Sequence, residues 1–339
     1  MKILFIVLCC CLTFAGQSQV KPFFKLPAES AVSSVNWEMV GFQKLVYEGE
    51  EYGITNLVSG GDKIYASCLN AGEHLVFEGD GDDWKYLGTA GVSDTRAIHS
   101  MLAINDGVLY CAFADKSKDN RISVVRFNGE AFVHVGKPGF SKEMASAIRI
   151  DFDNDIPYVA FQDYKPYGSS VMRFDGKDWY YVGKRSFSTS MILKLVLEVN
   201  AGIPYVFVDE YEFGERGSVM KFTGKSWEYL GERGAMERMF ARRGLFIINA
   251  VPHVLSFGLN KDLPGTSAEV TRNELQVMKF QGGKWSIVHR ERFELELSAY
   301  SFATMDGKPV LLYTRPGTRE VLTELIDGVP VRKTTNAAK

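Results

Sequence analysis

Thirteen residues at 171–183, VMRFDGKDWYYVG, return with few changes as VVRFNGEAFVHVG at 124–136, VMKFTGKSWEYLG at 219–231 and VMKFQGGKWSIVH at 277–289. A chain that spells one stretch four times is assembled from repeated units, and a period of this length restricts the fold more tightly than composition does. The aromatic of the motif stands at Trp37, Trp84, Phe132, Trp179, Trp227 and Trp285, in steps of 47, 48, 47, 48 and 58 residues, with Val331 in the equivalent place of the last copy.

A second motif precedes it in each unit: IPYVAFQD at 156–163, IPYVFVDE at 203–210, VPHVLSFG at 251–258 and KPVLLYTR at 308–315, with weaker copies at 63–70 and 108–115. Turns such as NDG at 105–107 and NAG at 200–202 stand before it, and an earlier apolar stretch such as ASAIRIDF at 145–152 stands before the turn. One unit therefore reads as four short strands: a (145–152), b (157–162), c (170–174) and d (179–182). Alternating apolar runs punctuated by turn residues are the hairpin signal, and no helical period occurs. Units of 40–50 residues with four strands are β-propeller blades. The expected fold is all-β: a six-bladed propeller of four-stranded antiparallel blades. Six a-b-c sets face seven d-like segments, so NWEMVG at 36–41 is expected to complete the last blade and remove an exposed sheet edge. Phe174 and the repeated aromatics Trp37, Trp84, Phe132, Trp179, Trp227 and Trp285 are expected as wedges between blades, and Gly176 supplies the c–d turn conformation.

The combination PYVAFxD and VM[KR]FxGxxWxxVG resembles the repeats of exported bacterial propeller proteins, many from Bacteroidetes, over about 300 residues from Trp37 onward. In architecture it is distantly similar to sialidases and kelch proteins. The Asp box of sialidases is absent, since Phe127, Phe174, Phe222 and Phe280 stand where its aspartate belongs. The resemblance implies the fold and export, and says little about activity.

The N-terminus points the same way. Lys2 precedes the apolar run ILFIVLCCCLTFAG, followed by small residues, which reads as a signal peptide over 1–19. The run is short for a membrane span, so no transmembrane segment is expected. Leu8 occupies the place before Cys9 where a lipid-attachment motif wants a small residue. The plan is thus a signal peptide (1–19), an extension (20–35), one propeller domain (36–333) and a disordered tail (334–339), exported to the periplasm, cell surface or medium, and monomeric. After cleavage only Cys68 and Cys111 remain. Aligned on strand b they point to the same face of different blades, so they are expected as free, buried thiols. With a net charge of −2 the chain lacks the basic field that nucleic acid requires.

None of the short catalytic or phosphate-binding motifs occurs, so no cofactor, metal or catalytic residue is assigned. DFDND at 151–155 has carboxylates at alternate positions, as calcium loops do, but falls on the a–b turn, where Asn and Asp are common. Four candidate features remain. Strand b ends in Asn70, Asp115, Asp163, Glu210, Gly258 and Arg315, and the acids among them are either ligand groups or caps of the following turn. Strand a should line the axis. One parity, Leu102, Ile150, Leu197 and Phe302, packs; the other places His99, Arg149, Asp151, Lys194 and Glu198 on one side. The d–a connections carry Lys137, Lys184, Arg185, Arg233, Arg290 and Arg292, a basic rim suited to acidic glycans. The 58-residue step reflects a long b–c connection at 259–274. These features suggest a non-catalytic propeller that binds a glycan or another envelope protein through its channel-mouth loops. A glycan-active hydrolase or lyase using the axial charges, and a structural envelope module, are the alternatives.

Overall fold

The computed structural model describes residues 35–39, 44–60, 63–79, 84–93, 100–237, 239–260, 273–293, 299–305, 308–314 and 321–325. Every regular element there is a strand, apart from short 3-10 turns. Two strands, β1 (Val35–Met39) and β2 (Lys44–Tyr47), precede unit one, which comprises β3 (Glu50–Gly60), β4 (Lys63–Asn70), β5 (Glu73–Gly79) and β6 (Trp84–Val92). Unit two is β7 (Ser100–Asn105), β8 (Val108–Asp115), β9 (Arg121–Phe127) and β10 (Phe132–His134). Unit three is β11 (Ala145–Asp153), β12 (Ile156–Tyr164), β13 (Tyr167–Phe174) and β14 (Trp179–Tyr181). Unit four is β15 (Ile192–Asn200), β16 (Ile203–Glu210), β17 (Arg216–Phe222) and β18 (Trp227–Tyr229). Unit five is β19 (Met239–Ile248), β20 (Val251–Asn260), β21 (Asn273–Gln281) and β22 (Lys284–Phe293), followed by β23 (Ala299–Met305), β24 (Lys308–Thr314) and β25 (Val321–Leu325).

Units two to five each form an antiparallel four-stranded sheet in chain order. The first strands of successive units, β3, β7, β11, β15 and β19, are neighbours in space, which is the radial arrangement of propeller blades. Side-chain alternation places Leu102, Ile150 and Leu197 in the core, all at most 7% exposed, the parity read from the sequence. His99 lies outside the described residues.

In units two to five the first strand pairs on one edge only, so its axial edge presents open N–H and C=O groups. Side chains from the preceding unit satisfy some of them. Asn56 Oδ1 accepts the Leu102 N–H at 2.7 Å, and Asp151 Oδ2 accepts the Val199 N–H at 2.6 Å. Glu198 accepts the Ile247 N–H in the same manner.

The N-terminal strand departs from expectation. It does not lie at the outer edge beside β25. Instead β1 pairs antiparallel with β23 through Glu38↔Tyr300 and Met39↔Ala299, and with β3 through Val35↔Ser59, Asn36↔Val58 and Trp37↔Leu57. It thereby joins unit one and the last strands into one nine-stranded sheet. The reason is the open edge just described. β3 and β23 are both first strands, and one short strand between them hydrogen-bonds two edges at once. The last copy of the motif, around Val331, lies outside the described residues.

In units three to five the repeated tryptophan is the wedge between units, whereas Trp84 Nε1 in unit one is buried without a hydrogen-bond partner among the described residues. Trp179 Nε1 donates to Val135 O at 2.7 Å, Trp227 Nε1 to Val182 O at 2.7 Å and Trp285 Nε1 to Leu230 O at 2.6 Å, each reaching the preceding unit. Trp179 stacks on Phe140 of unit two with ring centroids 4.3 Å apart and planes 7° from parallel, and Trp227 stacks likewise on Phe187 at 4.1 Å and 12°. The glycine that closes the thirteen-residue motif has a separate role. Gly136 sits at φ +73°, and a Cβ there would fall 2.7 Å from the Phe174 ring of the next unit. Gly176, at φ +100° with nothing within 4 Å, is needed only for its conformation.

Cys68 and Cys111 are buried free thiols, and burial pushes both up to about 12.

Candidate functional site

The b–c and d–a connections lie together at one end of each unit, and in units two to four they share a repeated polar layer. Strand b ends in Asp115, Asp163 and Glu210, all buried. Each carboxylate accepts from a serine of strand c: Ser123 Oγ at 2.7 Å, Ser170 Oγ, and Ser218 Oγ at 3.0 Å. Each serine in turn accepts a backbone N–H from the d–a connection: Gly139 at 2.9 Å, Ser186 at 2.8 Å and Gly234 at 2.8 Å. The acid thus pins two loops through one hydroxyl.

The remaining carboxylate capacity is taken locally. Asp115 accepts from Ser117 N at 3.0 Å and Ser117 Oγ at 2.6 Å. Arg185 Nη2 approaches Asp163 Oδ1 at 2.9 Å, and this contact holds the guanidinium above its usual range. Arg233 forks onto Glu210 at 3.1 and 2.6 Å, where Tyr229 Oη also donates at 3.2 Å. Arg290 pairs with Glu274 at 3.2 Å and Glu237 at 2.9 Å. Two of the strand-b acids and two of the d–a arginines, read from the sequence as separate features of one face, are therefore each other's partners: Asp163 with Arg185 and Glu210 with Arg233. Lys137 and Lys184 remain exposed. The side chain of Arg292 and residues 261–272 of the long connection lie outside the described residues.

Above this layer stands a feature the repeat alignment does not show. The b–c turn of unit three carries Tyr164 and Tyr167, whose rings lie 5.4 Å apart. That of unit four carries Tyr211 and Phe213 in a 3-10 turn. Tyr167 is 50% exposed, Tyr211 58% and Phe213 39%, and Met191 and Leu193, where the chain enters unit four, are also exposed. The d–a connection of unit three bridges the two turns. Arg185 Nη2 donates to Lys165 O at 2.9 Å and Ser186 Oγ to Pro166 O at 3.1 Å. At its other end Met191 O accepts the Tyr211 N–H at 3.0 Å, and Ser190 Oγ accepts the Glu212 N–H at 3.3 Å. The Arg233 guanidinium lies 3.6 Å from the Phe213 ring centre, a cation–π contact that fixes the ring. Exposed aromatics on turns braced at both ends form a platform, and clustered apolar surface of this kind marks interaction sites.

The axial residues do not converge on that platform. Asp151 and Glu198 lie two residues before the a–b turn, at the opposite end of strand a, committed to the neighbouring strand's N–H groups. Burial, opposed by the Val199 and Phe152 N–H groups, pushes Asp151 up to about 7, and burial with the nearby Asp151 charge pushes Glu198 up to about 8. Arg149 donates to Ile148 O at 2.7 Å. Lys194 stands opposite Asp209 in register. Burial raises Asp209, while Arg243 and Lys194 oppose the shift. Arg243 occupies a position that is Ile148 and Leu195 in units three and four, and it reaches Ser256 Oγ and, at 2.7 Å, Glu237 O. Among the described residues no three metal-ligating side chains converge, and no helix is long and apolar enough to cross a membrane.

The sequence reading missed the platform and the Asp209–Arg243 pair. The available signal was the apolar content of YKPY at 164–167 and YEF at 211–213, turns that a solvated loop would fill with polar residues.

No protein-family model and no curated protein matches the chain. Solved structures do. Aleuria aurantia lectin in complex with α-methyl-L-fucoside is similar at 14% identity, over 90% of this chain and 99% of that one, with a TM-score of 0.46. YjhT is similar at 12% identity, over 87% and 96%, with a TM-score of 0.49. A PL25 ulvan lyase is similar at 11% identity, over 86% and 85%, with a TM-score of 0.46.

Proposed function

We propose that this chain is an exported six-bladed propeller that binds a glycan, without catalysis, on the face formed by the b–c and d–a connections. The observation that carries this reading is the braced platform of Tyr164, Tyr167, Tyr211 and Phe213. Aromatic rings present a large apolar face with little rotamer freedom to lose, which suits the C–H faces of sugar rings, while tyrosine hydroxyls meet sugar hydroxyls. Regular units supply rigidity, and the turns supply the contacts. In the six-bladed ring, β23–β25 provide the last blade and β1 bridges it to unit one.

The test is a glycan-array screen of the mature protein, then titration of the strongest glycan against wild type and Tyr167→Ala/Tyr211→Ala. A loss of tenfold or more with an unchanged melting temperature supports the reading. Equal affinity rules out this face. Capture of a protein and no glycan would assign the platform to a protein partner.

One observation favours catalysis instead. Asp151 and Glu198 are neighbouring carboxyl groups with raised pKa values, the raw material of a glycosidase pair. Their engagement with the Val199 and Ile247 N–H groups gives them a structural task in the present reading. Release of reducing ends from a polysaccharide panel by wild type, abolished in Glu198→Gln, would establish the catalytic one.

A further inference from the structure

We infer that the glycan taken by this face is a polyanion, bearing carboxylate or sulfate groups. This rests on the proposed function and names its ligand class.

The charge on the platform is unevenly distributed. Over 115–121 and 136–144, the connections of unit two, five basic side chains face three acidic ones; over 163–168 and 183–191 in unit three, three face one. Over 210–216 and 231–237 in unit four, two basic face five acidic. The face therefore runs from positive to negative across the aromatic turns.

Which cations are available matters more than the count. Arg185 and Arg233 are bound to buried carboxylates, and Arg121 lies 3.5 Å from Asp119. Lys116, Lys118, Lys137, Lys142, Lys165 and Lys184 make no ion pair among the described residues. They are exposed, apart from a half-buried Lys118. An ammonium group in water loses little by remaining solvated, but six on two adjacent loop sets raise the local potential and draw in anions.

The lysines and the aromatics belong to one surface. Lys142 N donates to Tyr181 Oη of unit three at 3.1 Å, and Tyr181 is close enough to Asp163 and Arg185 to feel both charges. Lys165 lies between Tyr164 and Tyr167. Lys184 precedes the arginine that braces the Tyr164–Tyr167 turn. A chain whose sugar faces meet Tyr164 and Tyr167 would thus carry its acidic groups over the unit-two lysines on one side and over Lys165 and Lys184 at the turn itself. The acidic turn of unit four would repel a polyanion that extended past Tyr211, and so fixes the direction of lie.

Calorimetric titration of the mature protein with polygalacturonate, chondroitin sulfate and neutral arabinoxylan, at two salt concentrations, tests this. Binding of at least one anionic probe tenfold tighter than arabinoxylan is expected, weakening as salt rises. Preference for polygalacturonate identifies carboxylates as the group recognised, and preference for chondroitin sulfate, which carries sulfates beside its own uronate carboxylates, shows that carboxylates alone do not suffice. Replacing Lys116, Lys118, Lys137 and Lys142 together by Gln should weaken that binding about tenfold and leave the melting temperature unchanged. Tight arabinoxylan binding that the lysine variant leaves unchanged but Tyr167→Ala/Tyr211→Ala abolishes would overturn the polyanion and keep the face. Polyanion binding lost in the lysine variant but kept in the tyrosine variant would overturn the aromatic platform. Failure of both anionic probes to bind overturns the inference.

Discussion

The indole N–H of Trp179 in unit three ends on the carbonyl oxygen of Val135 in unit two, 2.7 Å away and buried from water. One side chain thus ties two sheets by a hydrogen bond and by stacking on Phe140, and the same bond recurs from Trp227 and Trp285. Two substitutions separate the contributions. Trp179→Phe keeps most of the apolar contact but leaves the Val135 carbonyl without its donor, at a cost of about 1–3 kcal/mol. Trp179→Ala also opens a cavity and should cost about 3–5 kcal/mol. Urea unfolding curves should give that order. Equal losses would show that the hydrogen bond contributes nothing, and no loss would remove the wedge.

Unit two already carries the milder substitution, since Phe132 stands at this place. Phe132→Trp is therefore not expected to stabilise the fold unless the neighbouring backbone offers a carbonyl. A melting temperature unchanged within a degree or two, or lowered, is the expected result. A clear rise would reveal an acceptor waiting at that interface.

Arg185 and Asp163 make the second prediction about unit interiors. Asp163 is fully buried, and Arg185 is its principal counter-charge. Arg185→Met leaves a charge buried without its partner, a change that typically costs about 3–5 kcal/mol. In Arg185→Met/Asp163→Asn the charge is gone and Ser170 can still donate to the amide oxygen, so part of the loss should return. A double mutant as unstable as the single one would show that the arginine acts through Lys165 O and the loop alone.

The distinction between what the sequence reveals and what it conceals follows from locality. The strands of unit three were legible to within a few residues, because turn residues and alternation are local signals: the expected 145–152, 157–162, 170–174 and 179–182 are Ala145–Asp153, Ile156–Tyr164, Tyr167–Phe174 and Trp179–Tyr181. The wedge role of Trp179 and the burial of Cys68 and Cys111 followed from position in the repeat. The place of β1 did not, since it depends on two open edges more than 200 residues apart in sequence. Asp163 and Arg185 were both singled out, but for separate roles; their pairing is a matter of loop geometry. Tyr167 and Tyr211 escaped because a repeat alignment weighs what recurs, and these turns differ from unit to unit.

The thiols give a simple readout of core integrity. Burial raises both Cys68 and Cys111 to about 12, and thiolate is the reactive form. In native protein neither should react with a thiol reagent at pH 8 on a timescale of minutes, and both should react in urea. Rapid labelling of either in the native state would show that unit one or unit two opens locally.

Asp151 and Glu198 predict how stability varies with pH. Their folded pKa values lie above the unfolded carboxyl values of about 4, at about 7 and about 8. Below about pH 4 both states hold these protons, and the groups impose no penalty. As pH rises from about 4 to about 8 the unfolded chain releases them first, so it binds fewer protons than the native state and stability falls. The loss is complete once pH exceeds the upper folded value. Asp151→Asn removes one titration and relieves the charge that raises Glu198, while its amide oxygen still accepts the Val199 N–H. The variant should match wild type near pH 4.5 and melt higher at pH 8, the gap opening through that window. A constant offset across the range, or a variant less stable at pH 8, would mean that Asp151 is ionised and satisfied in the native protein, and that its hydrogen bond to Val199 outweighs its burial.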